Sequence, residues 1–252
     1  MDMSVDHTRR HLDFPVLLNA RDLGHLPTAS GQHTRRGALV RSEYLGFLDE
    51  AGRQALLAYG VRAIIDLRFA RELAMDSHHF QLNPSGQISY TNISLCGEVG
   101  DPHYEPLQAV GDSATAWIEP QLELGRFQIG RIMKVIANAP EGGVLFHCYA
   151  GKDRTGLIAE LLLSLVDVPI EIIAEDYVLS NERLAVRYFP ELAKIEDLAQ
   201  REHARAEWTV QPETVYKTLG FVQQRYGGTE AYLRHAGLSD AEIAQLRARL
   251  LG

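Results

Sequence analysis

A strand, a loop and a helix in the middle of the chain constrain its fold more than any other segment. Residues 144–146 form an apolar run typical of a buried strand, and residues 157–165 form an apolar run typical of a helix. The connecting loop, residues 147–156, has the sequence His-Cys-Tyr-Ala-Gly-Lys-Asp-Arg-Thr-Gly, with five residues between Cys148 and Arg154. Free amides and the positive end of a helix dipole meet in such a loop. The segment therefore predicts an anion-binding loop that favours the thiolate form of a cysteine.

Each residue type in this loop suits a step of phosphoryl transfer. Cys148 is the candidate nucleophile, which would attack phosphorus to give a phosphocysteine. The planar fork of Arg154 matches two phosphoryl oxygens, and Lys152 adds a second positive charge. Gly151 allows a sharp turn that brings amides close to an anion. The hydroxyl of Thr155 is placed to donate to the sulfur of the departing thiolate.

Four other interpretations of the loop compete with this one. A buried structural cysteine remains open for Cys148 taken alone, since free cysteines are often buried. A nucleotide-binding P-loop is excluded, because Phe146 stands where that pattern needs a glycine and Asp153 where it needs Ser or Thr. A zinc site is disfavoured because His147 and Cys148 are adjacent and no second ligand pair follows at finger-like spacing. Cationic neighbours of the thiol argue against a papain-like protease and for an anionic substrate.

The complete loop resembles the signature loop of the protein tyrosine phosphatase superfamily, and more narrowly that of the atypical bacterial tyrosine/serine phosphatases. The resemblance implies a metal-independent hydrolase without cofactor that forms a phosphocysteine and releases inorganic phosphate. Its implied substrates are phosphotyrosine, phosphoserine or phosphothreonine in proteins, and phosphoinositides. The implied phosphate-binding residues are Tyr149, Ala150, Gly151, Lys152, Arg154 and Thr155. His147 and Gly156 have supporting roles, the first orienting the loop and the second allowing close packing of the first helical turn.

The resemblance extends over nearly the whole chain and is weakest in residues 96–125 and 185–215. Further matching segments are residues 19–24, 36–42, 61–68 followed by Glu72, 175–181 and 232–238. The implied fold is a phosphotyrosine-phosphatase-like three-layer α/β fold. Its mostly parallel central sheet is flanked by helices, and the C-terminal half is helical.

Hydrophobic patterns predict the same α/β class independently. Residues 49–59 are typical of a helix that Gly60 closes, and a buried strand follows at residues 63–65. Another strand is predicted within residues 88–95, and Ser239 begins a capping-box pattern for the last helix. Alternating strands and helices build a mostly parallel sheet whose ligands bind beyond the carboxyl ends of the strands. We expect a loose segment at residues 1–13 and one phosphatase domain at residues 14–252.

Composition limits the possible partners and compartment. The 252 residues carry a net charge of −8, which argues against nucleic-acid binding. The sequence has no apolar run long enough to span a bilayer and no signal-peptide core at its start. Only two cysteines are present, and one is needed as a thiolate, so we expect the reducing cytoplasm, with secretion without a cleaved signal left open.

The general acid is the open question of the sequence, because it contains no Trp-Pro-Asp segment. The family resemblance favours Asp153, with a helix N-terminal charge as its alternative. Asp66 follows a strand and is expected in the same crevice, either as a second catalytic carboxylate or as a partner of Arg68. Asp101 is a third candidate, in a turn before residues 104–124, which are interpreted as a possible lid. For the basic and acidic residues Arg21, Asp22, Arg41 and Arg68, bracing of the site and a structural ion-pair network were equally open.

Three further functional hypotheses stay beside the protein phosphatase. A phosphoinositide or inositol-phosphate phosphatase differs only in its main substrate. A phosphate-binding protein without activity is disfavoured, because both Cys148 and Arg154 are present. A rhodanese-type sulfurtransferase also places a cysteine on a loop before a helix, but it does not require the Arg-Thr-Gly ending.

Overall fold

The computed structural model describes residues 5, 7–14, 16–74, 86–95, 97 and 114–252. The described strands are β1 (Arg21–Asp22), β2 (Leu39–Ser42), β3 (Val61–Asp66), β4 (Ser89–Asn92) and β5 (Gly143–His147). The described α-helices are α1 (Glu50–Tyr59), α2 (Ala70–Ala74), α3 (Ala114–Leu124), α4 (Arg126–Ala137), α5 (Asp153–Leu165), α6 (Ile170–Ala193), α7 (Leu198–Trp208), α8 (Pro212–Tyr226), α9 (Thr229–His235) and α10 (Asp240–Leu251). Two short 3₁₀ helices span His7–Arg10 and Leu45–Phe47.

The five described strands form one sheet in the order β1-β2-β5-β3-β4, and only the β1–β2 pair is antiparallel. Strand β5 lies in the centre, with Ser42 of β2 and Asp66 of β3 both paired with His147. The carboxyl ends of β2, β5 and β3 therefore meet at one edge of the sheet. Cys148 follows β5 at this edge, as the strand–loop–helix pattern predicts.

Alternate residues of the strands enter two apolar clusters, one on each face of the sheet. Val144 and Phe146 of β5 pack into the larger cluster, with most of the helices from α3 to α10. Leu145 points to the opposite face and packs against residues of α1 and the N-terminal segment. Because β5 is buried on both faces, its run is continuously apolar, and the three-layer α/β prediction is confirmed.

Local signals in the sequence place the helix ends correctly. Asp49 accepts a hydrogen bond from the amide of Gly52 and begins α1, which Gly60 ends in the left-handed conformation at φ 102°. The capping box of α10 is complete, since Ser239 and Glu242 exchange side-chain hydrogen bonds with each other's backbone. The strand predicted within residues 88–95 is shorter, at Ser89–Asn92.

The N-terminal segment is tied to the domain at Arg10 and Leu12. Arg10 is fully buried, and its guanidinium donates to the carbonyl of Asp22 at 3.0 Å and to the carboxylate of Asp176. Leu12 joins the smaller apolar cluster. The later part of the segment that we expected to be loose is thus anchored, because a buried ion pair fixes it to α6.

Candidate active site

The loop between β5 and α5 begins in the core and ends at the start of a helix. Cys148 is 2% exposed, and Arg154 lies in the first turn of α5. His147 Nδ1 lies 2.9 Å from the carbonyl of Cys148, and since a carbonyl only accepts, this nitrogen carries the proton. Burial lowers the pKa of His147, so it is neutral at pH 7 and has no proton to spare as an acid.

Two buried side chains hold the carbonyl groups of the loop on its outer side. Asn19 Nδ2 donates to the carbonyl oxygens of Ala150 at 3.0 Å and Gly151 at 3.2 Å. A terminal nitrogen of Arg41 donates to the carbonyl oxygens of Gly151 at 2.9 Å and Lys152 at 3.2 Å. These carbonyls are therefore turned away from the centre of the loop.

The amides of the loop, unlike its carbonyl groups, have no partner among the described residues. Among the described residues, the amides of residues 149–153 donate to no backbone or side-chain acceptor. Gly151 makes this possible with a φ of +67°, and a Cβ there would overlap the carbonyl of Ser42. The result is a row of backbone N–H donors at the amino end of α5 that have no acceptor in the described structure. Such a row of donors is the arrangement that binds a phosphoryl group.

A buried ion-pair cluster supports the loop from behind. Asp176 of α6 contacts three guanidinium groups: that of Arg10, that of Arg21 at 3.1 Å and that of Arg41 at 2.7 Å. Burial opposes ionisation of Asp176, but the three cations hold its pKa well below the usual range. Burial and the nearby Arg41 in turn lower the pKa of Arg21 to about 9. The cluster carries excess positive charge next to the anion-binding loop.

Neutralising the carboxylate of this cluster should destabilise the whole domain. We expect Asp176→Asn to lower the free energy of unfolding by about 3–5 kcal/mol, because three arginines would lose their buried counter-ion. Chemical denaturation measures this change. Glu191→Gln is the control, since its exposed pair with Lys194 should contribute less than about 1 kcal/mol. Equal stability of the two variants would contradict the supporting role of the cluster.

Arg154 is held in a fixed orientation by two neighbours. Its two terminal nitrogens donate to the two carboxylate oxygens of Glu72 at 2.5 and 2.9 Å. Its guanidinium carbon lies 4.2 Å from the ring centre of Phe69. Burial opposes ionisation of Glu72, but the contact with Arg154 lowers the pKa of this carboxyl overall. The arginine fork is thus preorganised at the site.

Thr155 and Gly156 lie in the first turn of α5. The hydroxyl of Thr155 is fully buried and has no hydrogen-bond partner in the described part of the chain. Gly156 packs directly against the ring of Tyr177, where any Cβ would overlap the ring.

Lys152 is buried but its ammonium group does not lie free in the loop. Nζ donates to the carbonyl oxygens of Glu207 at 3.1 Å and Trp208 at 3.2 Å, at the carboxyl end of α7. It lies 3.7 Å from Oδ2 of Asp153. The lysine thus links the loop to the helical hairpin of α6 and α7, a contact that the sequence did not indicate.

The two described candidate acids have different environments. Asp153 has a side chain that is 32% exposed, and its Oδ1 accepts a hydrogen bond of 3.2 Å from the hydroxyl of Tyr177. Asp66 is fully buried and pairs with Arg68 at 2.7 Å, while the hydroxyl of Tyr90 donates to it at 2.7 Å. The pairing with Arg68, one of the two alternatives for Asp66, is what the structure shows. Asp101 lies outside the described residues, as do residues 104–113 of the segment interpreted as a lid.

The pKa of Asp66 decides its chemical state. Burial opposes its ionisation, but nearby positive charge lowers the pKa to about 2. His147 adds to this effect only in acid, because burial keeps it neutral at pH 7, so Arg68 is the lasting partner. A carboxyl with this pKa holds no proton near neutrality and cannot donate one. Of the two described candidates, only Asp153 is accessible at the loop.

Sequence reasoning missed the supporting roles of several residues. Asn19, Glu72 and Asp176 lie in segments that match the family pattern, but nothing in the pattern said what each one contacts. Arg21 and Arg41 were expected either to brace the site or to form a structural ion-pair network. They form a buried ion-pair network with Asp176, and through Arg41 this network also holds the loop.

The described residues contain no group of three or more His, Cys, Asp or Glu side chains placed to hold a metal ion. They also contain no helix of the length and hydropathy that a membrane span requires.

Comparison with known proteins gives a consistent result. A family model described as the tyrosine phosphatase family matches residues 12–252. The chain is 35% identical over 223 residues to a tyrosine-protein phosphatase of Nostoc commune, covering 84% of this chain and 74% of the relative. It is 29% identical over 290 residues to the triple specificity protein phosphatase PtpB of Mycobacterium tuberculosis, covering 95% of this chain and 99% of the relative.

Proposed function

Because the chain belongs to the tyrosine phosphatase family and is a cysteine-dependent phosphatase, we propose that Cys148 is its nucleophile and Asp153 its general acid. The observation that carries this proposal is the loop of residues 148–154. Its carbonyl groups are held by Asn19 and Arg41, its amides have no acceptor among the described residues, and Arg154 at its end is held by Glu72. No other part of the described structure combines a cysteine, an arginine fork and free amides.

In the first step, the Cys148 thiolate forms a bond to phosphorus while the bond to the leaving oxygen breaks. The loop amides and the fork of Arg154 hold the phosphoryl oxygens and stabilise the charge of the transition state. Asp153 gives its proton to the leaving oxygen, so that an alcohol or phenol departs. The product of this step is a phosphocysteine and an Asp153 carboxylate.

In the second step, the Asp153 carboxylate takes a proton from water as the water oxygen bonds to phosphorus. The sulfur–phosphorus bond breaks, inorganic phosphate is released, and the thiolate is restored together with the acid form of Asp153. The buried hydroxyl of Thr155 stabilises the departing sulfur by hydrogen bonding. The cycle needs no metal ion or cofactor, and it needs a reduced Cys148, so we place the enzyme in the cytoplasm.

Proteins that carry phosphotyrosine are the proposed main substrate, and phosphoserine or phosphothreonine peptides and phosphoinositides are proposed as slower ones. The support is the position of Lys152, whose ammonium group is bound to carbonyl oxygens of α7 and not directed to a second phosphate. The exposed ring of Tyr149, stacked on Tyr44 at 6.1 Å, adds an aromatic surface next to the loop. A rate panel with phosphotyrosine peptide, phosphoserine peptide and phosphoinositide tests this order, and faster turnover of the lipid would reverse it.

The assignment of the acid is tested with leaving groups of different quality. We expect Asp153→Asn to lower kcat/KM about 10²- to 10³-fold for phenyl phosphate, which needs a proton on its leaving oxygen. For p-nitrophenyl phosphate, whose leaving group is stable as an anion, the loss should be about tenfold or less. Asp66→Asn is the comparison, and it should lower both rates by the same factor, since Asp66 is held by Arg68 and Tyr90 and has no proton to donate near neutrality. Equal losses on both substrates for Asp153→Asn would reject its role.

A further inference from the structure

Phe47 is an exposed aromatic side chain near the catalytic loop. It lies in the 3₁₀ helix that follows β2, its residue is 44% exposed, and it belongs to neither apolar cluster of the core. Burial in the fold therefore does not account for this side chain. Aromatic rings bury much apolar area when a partner covers them, and they are enriched where proteins bind other molecules.

The segment that carries Phe47 is joined to the catalytic loop through the backbone. Ser42, the last residue of β2, pairs with His147, the last residue of β5. The contact continues beyond the strands, since the amide of Tyr44 donates to the carbonyl of Tyr149 at 2.9 Å. The two tyrosine rings are therefore stacked, with their centres 6.1 Å apart and an angle of 9° between their planes.

Phe47 extends this stack along the surface. Its ring meets that of Tyr44 edge to face, with the two centres 5.2 Å apart. Gly46 allows this close approach, because a Cβ at that position would overlap the ring of Tyr44. The rings of Tyr149, Tyr44 and Phe47, which we call the aromatic strip, thus form one row. The row begins at the residue after Cys148.

Two arginines hold the aromatic strip in place without adding a free charge to it. The guanidinium of Arg68 lies 4.2 Å from the centre of the middle ring, and that of Arg187 lies 4.8 Å from the centre of the outer ring. Each is paired with a buried carboxylate, Arg68 with Asp66 at 2.7 Å and Arg187 with Glu43 at 3.3 Å. The strip is therefore preorganised, and it suits an apolar side chain better than an acidic one.

We propose that the aromatic strip is a subsite for an apolar or aromatic side chain near the phosphotyrosine of a protein substrate. This inference rests on the proposed preference for phosphotyrosine proteins. Phe47 is the specificity-determining residue, because it is the exposed outer ring. The ring centres of Tyr149 and Phe47 are no farther apart than the two ring spacings together, a span of about three residues of extended peptide. The recognised side chain therefore lies within about three residues of the phosphotyrosine.

The test is a series of phosphotyrosine peptides in which single flanking glycines, up to three positions away, are replaced by phenylalanine. In the wild type, kcat/KM at the preferred position should be about five- to twentyfold above that of the all-glycine peptide. In Phe47→Ala this gain should fall to about twofold or less, while the all-glycine peptide and p-nitrophenyl phosphate keep their rates. Phe47→Tyr retains a ring and should retain the gain. A wild type without any gain, or a gain that survives Phe47→Ala, would overturn the proposal.

A second exposed phenylalanine provides the matched control. Phe127 of α4 is 63% exposed, and the guanidinium of Arg126 lies 5.7 Å from its ring centre, so Phe127→Ala removes the same kind of contact. The peptide gain should be unchanged in this variant, and an equal loss there would contradict the assignment of Phe47. Glutamate at the preferred peptide position should give no gain, and a gain larger than that of phenylalanine would also overturn the proposal.

The ratios between peptides test the subsite separately from the main substrate. Faster turnover of phosphoinositide than of phosphotyrosine peptide would reject the proposed main substrate, yet the gain from phenylalanine would still be measurable. If Phe47→Ala lowers only the turnover of phosphoinositide in vesicles, the strip binds lipid and the subsite proposal is wrong. Phe47 lies outside both apolar clusters, so the variant should melt close to the wild type. If it does not fold, the wild-type peptide series decides.

Discussion

Cys148→Ser should lower turnover of p-nitrophenyl phosphate by about 10⁵-fold or more. A hydroxyl in this position is not ionised near neutral pH, so the nucleophile of the first step is lost. The side chain is buried and nearly isosteric, so the loop that binds phosphate should keep its shape. Calorimetric titration with inorganic phosphate should therefore give an affinity within a few-fold of the wild type.

Two measurements on the same variant separate chemistry from folding. Its melting temperature should stay close to that of the wild type, which shows that the lost rate is not lost structure. Acid quenching of the wild type during turnover, followed by mass spectrometry, should find a phosphate attached to Cys148 and none in the variant. Turnover by Cys148→Ser within tenfold of the wild type would show that another group attacks phosphorus.

Arg154→Lys should lower kcat by about 10³-fold although the positive charge is retained. The guanidinium is held in one orientation by two bonds to Glu72 and by the face of Phe69. A guanidinium has five N–H donors in one plane, so it can bond to Glu72 through two of them and still reach two phosphoryl oxygens, whereas an ammonium group has only three donors. Loss of aligned donors in the transition state costs about 10²- to 10³-fold for each donor.

A matched substitution controls for the change of residue type. Arg205→Lys alters an exposed arginine on α7 and should change neither kcat nor KM, because its pair with Glu202 is on the surface. The kcat of Glu72→Gln should lie between those of Arg154→Lys and Arg205→Lys, since the substitution weakens the bonds that hold Arg154 but leaves its guanidinium in place. Near-normal activity of Arg154→Lys would mean that charge alone is sufficient, and it would contradict the role given to the planar fork.

The sequence predicts those parts of the fold that depend on near neighbours. The helix from Asp49 to Gly60 and the capping box at Ser239 are local patterns, in which each residue and its partner are a few positions apart. Strand β5 and the loop after it are equally local, because a buried apolar strand followed by small residues and a helix allows few arrangements. These elements agree with the structure for that reason.

The contacts that hold the site are not predictable in this way. The ion pair of Arg10 with Asp176 joins residues 166 positions apart, and nothing in either segment indicates the other. The binding of Lys152 to the end of α7 also depends on how two distant helices pack. Asp66 shows the opposite case, since its partner Arg68 is only two residues away, yet its pKa depends on burial that a sequence does not display.

The bracing of the catalytic loop also has a kinetic consequence. Asn19, Arg41 and Glu72 reach the loop across separations of 131, 110 and 82 residues. Closing such long segments costs conformational entropy before any contact repays it, so these contacts form late in folding. A helix can appear early in refolding without creating a competent loop. Recovery of enzymatic activity should therefore be the last signal to return after dilution from denaturant, and a fragment that lacks either end of the chain should bind no phosphate.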